Sequence, residues 1–263
     1  MPETGRIRID DLEGTPLAAD APRPAMPVAG EREAWLERYN LSPTPVEFED
    51  EDPLSPKYVR NDIDETAGSI LHFWFAYSAD RPSLVGDRSK LWFGGGFELD
   101  RIIAHRFAGI VAKLASGEAL RWAAQGPLQR LAAVIALDQF SRNIFRGTPA
   151  AFENDPLALR LSKEGIAAGE EAVLKPVERW FLYMPLEHSE SSTDQRRAVE
   201  KFAALLAEAT PELQPHIASA YDYAKRHAKV IAKFGRFPHR NAILGRTTTS
   251  AESKFLKKPG SRF

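Results

Sequence analysis

Residues 128–137, Leu-Gln-Arg-Leu-Ala-Ala-Val-Ile-Ala-Leu, constrain the fold more than any other stretch of this chain. The run is shorter than the roughly 18–20 apolar residues that a membrane span needs, and it carries Arg130. Pro127 stands just before it, a residue favoured in the first turn of a helix. The run therefore reads as a buried helix, and a helix that is apolar on all sides needs neighbours on all sides.

The sequence after residue 64 supplies those neighbours. Ile70, Phe73, Trp74 and Tyr77 recur at helical spacing, as do Ile102, Ile103, Phe107, Ile110, Val111 and Leu114 across 97–114, where Gly117 follows as a stop signal. The apolar run itself extends to Phe140. Further helices are expected at 156–168, 177–184, 194–208, 212–234 and 251–256, with Thr193 as a cap and Gly235 as a terminator. No apolar–polar alternation is long enough for a strand. The expected fold is all-α: a compact array of about eight antiparallel helices over 65–263.

Residues 1–64 differ in kind. Prolines recur, and the stretch 47–52 reads Glu-Phe-Glu-Asp-Glu-Asp, a composition that resists a packed core. This part is expected to be a largely irregular acidic extension, with one short helix at 31–39 anchored by Trp35 and Leu36. Charge is split along the chain. Residues 1–65 hold 16 acidic and 7 basic side chains, a balance of −9, whereas residues 225–263 hold 11 basic and 1 acidic, a balance of +10. The first residues show no basic start followed by an apolar run, and there is no cysteine, so no disulfide framework, thiolate metal site or cysteine nucleophile can form. The chain reads as soluble, cytoplasmic and without a membrane partner.

Three polar segments interrupt the helical pattern. In the first, Asp138, Arg142 and Arg146 sit at i, i+4 and i+8, which makes one stripe on a helix, with Gln139 beside it. A carboxylate emerging from so apolar a helix must be paired. The stripe reads either as a structural ion pair or as two arginines presented to an anion. In the second, 185–190, Pro185 is expected to kink or restart the helix, after which Glu187 and Glu190 share a face with His188 beside it. Two carboxylates and an imidazole suit acid–base work, a divalent metal or a capping turn. Their spacing matches neither a zincin nor a di-iron signature, so no metal and no cofactor is assigned. In the third, 235–246, Arg236, His239, Arg240, Asn241 and Arg246 crowd around Gly235, Pro238 and Gly245, a composition suited to phosphate or carboxylate recognition. The alternative is a basic loop docked on acidic side chains, with Asp138 and Glu187 as the obvious partners. His227 lies on the preceding helix and gains interest only if it faces this loop.

These segments, with Ile-Leu-His-Phe-Trp-Phe at 70–75 and the block at 91–107, resemble the signature blocks of the uncharacterised bacterial family 924 of domains of unknown function, over roughly 66–257. The resemblance implies a compact helical domain similar to the tetratricopeptide-like superfamily, and no established reaction. By position, the family's polar motif residues correspond to Asp138, Gln139, Arg142, Arg146, Glu187, His188, Glu190, His227, Arg236, His239, Arg240, Asn241 and Arg246. If the segments converge, the arginines would clamp a small anionic ligand, and His188 or His239 would act as acid or base, oriented by Glu187 or Glu190. The competing readings are a helical scaffold for a protein partner and RNA or DNA binding by the basic C-terminal region, which carries no recognised nucleic-acid motif.

Overall fold

The structure is a computed structural model that describes residues 65–261 apart from 77 and 95. The extension 1–64 and the helix expected at 31–39 lie outside these residues. All regular structure among the described residues is helical, and no helix among them is long and apolar enough to cross a membrane.

The apolar run forms α5 (Pro127–Ile135), which follows α1 (Glu65–Phe75), α2 (Val85–Gly94), α3 (Phe97–Lys113) and α4 (Ala119–Gln125). Every side chain from Leu128 to Ile135 is buried, because α1, α4, α8 (Asp155–Ala167) and α9 (Pro176–His188) surround the helix. Even Arg130 is enclosed, donating to Glu170 at 2.8 Å and to the carbonyl oxygens of Ala123 and Leu161. Trp74 and Phe140 pack edge to face at 5.5 Å, and Phe140 lies 4.7 Å from Phe107. Burying such rings dominates the apolar contribution to stability, at about 25 cal/mol per Å².

α5 does not stop where its apolar run ends. It widens into a π-helical turn (Ala136–Phe140) and continues as α6 (Ser141–Ile144). The short α7 (Ala150–Glu153) leads into α8. From there α8, α9, α10 (Ser192–Ala207) and α11 (Gln214–Phe234) pack neighbour on neighbour. α11 ends at Gly235 in the left-handed conformation (φ 68°) that glycine tolerates, which turns the chain back toward α9. A 3₁₀ turn (Pro238–Arg240) and α12 (Ser250–Leu256) follow.

Two local expectations need correction. α9 runs through Pro185 to His188 rather than restarting there. Proline removes one backbone hydrogen bond, which the heavily buried helix tolerates near its end. The cap of α10 is Ser191, whose hydroxyl accepts from the Asp194 N–H, and not Thr193. Three hydroxyl residues stand in a row there, and sequence alone does not choose among them.

Candidate functional site

The widened turn after α5 decides where Asp138 goes. The carboxylate is buried, with only 1% of the residue exposed. Its Oδ1 lies 2.8 Å from His188 Nδ1 and 3.1 Å from Arg142 Nη1, and the Gln139 amide donates to Oδ2. The first and second polar segments therefore meet. Burial alone would raise the Asp138 carboxyl, but Arg142 and His188 outweigh it and hold the group well below the usual carboxylate range. His188 moves the other way. Burial and the Arg142 charge lower its pKa against the pull of Asp138, so the imidazole is neutral at pH 7. A neutral ring facing a carboxylate through Nδ1 carries its proton on Nδ1, which leaves Nε2 as the basic atom.

The third segment arrives through Arg240. Its Nη2 donates to the His188 carbonyl oxygen at 3.1 Å, and its Nη1 lies 3.3 Å from Asp155. Arg142 holds the same Asp155 carboxylate at 2.9 and 3.1 Å. Two guanidinium groups thus crowd one carboxylate. Rings of Phe152 and Phe237 flank Arg240, each 4.7 Å from the guanidinium carbon. Burial, then the neighbouring Arg142 charge, push the Arg240 pKa down to about 10. The side chain is 9% exposed, and its buried Nε–H has no acceptor among the described residues. His239 lies beside it, tilted against Phe237 at 5.6 Å, with its pKa lowered to about 3 by burial and by Arg240.

A second carboxylate–imidazole pair adjoins the first. Glu187 and His227 are 2.9 Å apart, His227 also meets the Tyr223 carbonyl oxygen, and the rings of His227 and His188 are 6.3 Å apart. His227 does face the loop, 5.4 Å from Phe237. Glu190 fastens the loop: it accepts the Phe237 N–H at 2.7 Å and both terminal nitrogens of Arg246 at 2.7 and 3.1 Å.

Not every expected residue joins this junction. Arg146 lies past the end of α6 and pairs with Asp100 of α3 at 2.7 and 2.9 Å, because the π-turn and the helix end break the i+8 register. Arg236 pairs with the buried Glu252 of α12 at 2.6 Å, which braces the loop against that helix, and Asn241 donates to Thr248 within the loop at 3.4 Å. Glu187 and Glu190 do not share a face, since α9 ends at His188 between them. His188 is oriented by Asp138 rather than by either glutamate. The docked-loop alternative named Asp138 and Glu187 as partners of the basic loop, whereas Asp155 and Glu190 receive Arg240 and Arg246.

Asp155 and Phe152 were missed by sequence reasoning. Asp155 precedes Pro156 at the start of α8, where an acidic residue is the ordinary companion of a helix start and draws no notice. A cavity of about 330 Å³ also went unread; it lies elsewhere, lined by Glu171, Arg179, Tyr183 and Lys201 among others. Among the described residues no group of three or more His, Asp or Glu side chains is arranged to hold a metal ion.

A solved protein of unknown function from Agrobacterium tumefaciens is similar to this chain. The two share 32% identity and a TM-score of 0.59, over 73% of this chain and 96% of that one. No curated protein matches. The family described as "Bacterial protein of unknown function (DUF924)" matches residues 70–260, and the chain belongs to that family.

Proposed function

We propose that the junction of the three segments binds a small anionic ligand, a phosphate or carboxylate, at Arg240, with His188 as the neighbouring acid–base group. The observation that carries this reading is the state of Arg240. It is buried, shares one carboxylate with Arg142, keeps an Nε–H without an acceptor among the described residues, and has its pKa lowered to about 10 by burial and the neighbouring charge. Arg142 is divided between Asp138 and Asp155, and Asp155 is itself shared, so Arg240 keeps a donor that an incoming anion can take. Asp138 fixes the His188 ring so that Nε2 is available to accept a proton. Asp138, Gln139 and Asp155 are positioning residues in this reading, and Glu190 and Arg246 hold the loop that delivers Arg240.

The test is a thermal-shift titration of the full chain with inorganic phosphate and with succinate. A ligand at 100 times its Kd adds about 2.7 kcal/mol, roughly 5–10 °C for a domain of this size. Arg240→Gln is expected to abolish the shift and His188→Gln to retain it. Absence of a shift with either anion, or an undiminished shift in Arg240→Gln, would overturn the reading. A second reading, a helical scaffold for a protein partner, is favoured by one observation: Phe93 is 52% exposed while stacked on Trp180 at 5.6 Å. Under that reading, Phe93→Ser would abolish partner capture and leave anion binding unchanged.

A further inference from the structure

α11, α12 and the residues just after them carry a separate feature, a face marked by a row of lysines. Lys225, Lys229 and Lys233 recur every fourth residue and form one stripe along α11. Phe234 meets Phe255 at 5.1 Å, which sets α12, with Lys254 and the following Lys257 and Lys258, beside the end of that stripe. Lys229, Lys233, Lys254, Lys257 and Lys258 are exposed, and Lys225 pairs with the solvent-exposed Asp222 at 3.3 Å. From 225 to 261 the one carboxylate side chain is Glu252, which is buried and paired with Arg236. Rings add to the face: Lys225 stands 4.6 Å over Tyr221, and Lys233 stands 5.2 Å over Phe234. Like charges held this close repel, and an opposite charge laid across them is stabilised.

We propose that this face binds the chain's own acidic stretch at 47–52 and is thereby masked from external polyanions. The first argument is charge. Residues 1–65 balance at −9 and residues 225–263 at +10, while the whole chain stands at −1, so the two ends neutralise each other within one molecule. The second is reach. Asp52 lies 13 residues before Glu65. At about 3.3 Å per extended residue that tether spans roughly 40 Å, the full diameter of a domain whose radius of gyration is about 16 Å. The third is tethering. Single exposed ion pairs contribute little, but a short tether holds the five carboxylates Glu47, Glu49, Asp50, Glu51 and Asp52 at an effective concentration of about a millimolar or more. The similar Agrobacterium protein is covered over 96% of its length by 73% of this chain, so the domain folds there without a counterpart to most of the remainder. The extension is then free to serve regulation rather than folding. The proposal does not rest on the anion site at Arg240.

Zero-length carbodiimide cross-linking of the full chain, read by mass spectrometry, tests the contact. Cross-links are expected between carboxylates of 47–52 and lysines of 225–258 at low salt, falling about fivefold or more in 0.5 M salt as screening sets in. The companion measurement is fluorescence anisotropy with a labelled single-stranded oligodeoxynucleotide. The variant Glu47→Gln, Glu49→Gln, Asp50→Asn, Glu51→Gln, Asp52→Asn is expected to bind it about tenfold more tightly than the unmodified chain. Adding Lys229→Gln, Lys233→Gln and Lys257→Gln should erase that gain. Absence of these cross-links overturns the proposal. So does equal oligonucleotide affinity in the two chains, which would make the face an open nucleic-acid surface instead.

Discussion

The core around α5 and the junction around Asp138 are parts of one continuous helix path, yet they are held by opposite means. From Leu131 to Ile135 the side chains are apolar and buried, and their attraction is non-directional. A few residues later, Asp138, Arg142, His188, Asp155 and Arg240 are linked by specific hydrogen bonds in which each charge needs its own partner. The core should therefore tolerate a change of shape that preserves volume, whereas the junction should not tolerate the loss of one charge.

The largest expected effect tests the junction side. Asp138→Ala strands Arg142 with half its charge partners and removes the orienting contact of His188, and it should cost about 3–5 kcal/mol by urea unfolding. A loss below about 1 kcal/mol would mean that the buried carboxylate is not ionised. Next is the latch at Glu190. Glu190→Gln keeps the shape but removes the charge facing Arg246, for an expected loss of about 2 kcal/mol. Amide exchange should speed up across 235–249 while α5 stays protected; uniform loosening of both would erase the contrast between the regions.

Acid should also separate them. Folded His188 and His239 bind protons more weakly than an unfolded histidine, and His239 has its pKa lowered to about 3. As pH falls below 6.5 the unfolded chain takes up protons that the folded chain refuses, so stability present at pH 7 is lost on the way toward pH 3. His239 alone accounts for at most about 2 kcal/mol between pH 7 and pH 5. His239→Gln should flatten that slope, and an unchanged slope would mean that the ring is not held neutral by its surroundings. The smallest effect is expected in the core, where Leu131→Met should cost less than about 1.5 kcal/mol at any pH.

The same contrast explains what could be read from the chain. Helical spacing located α3, α8 and α11 within a residue or two, and the start of α5, because an amphipathic or wholly apolar period is written in consecutive residues. The polar segments were legible as segments, but their pairings were not. Arg142 and Arg146 look equivalent in sequence, yet the π-turn and the end of α6 send one to Asp155 and the other to Asp100. Asp155 and Asp100 sit in the first turns of helices, where acidic residues are commonplace, so nothing marked them as hubs. Long-range charge pairing depends on how helices pack, and the spacing of residues in one helix carries no record of it.

The central claim is that Arg240 is held ready for an anion. It is tested most directly by NMR on the ¹⁵N-labelled full chain, following the Arg240 Nε–H resonance, assigned by its loss in Arg240→Gln, during titration with inorganic phosphate and with succinate. A saturable shift of that resonance, accompanied by a change at His188, is the expected result. A resonance that stays unmoved through millimolar concentrations of both anions would contradict the account and leave the junction as a packing device between α9 and the loop.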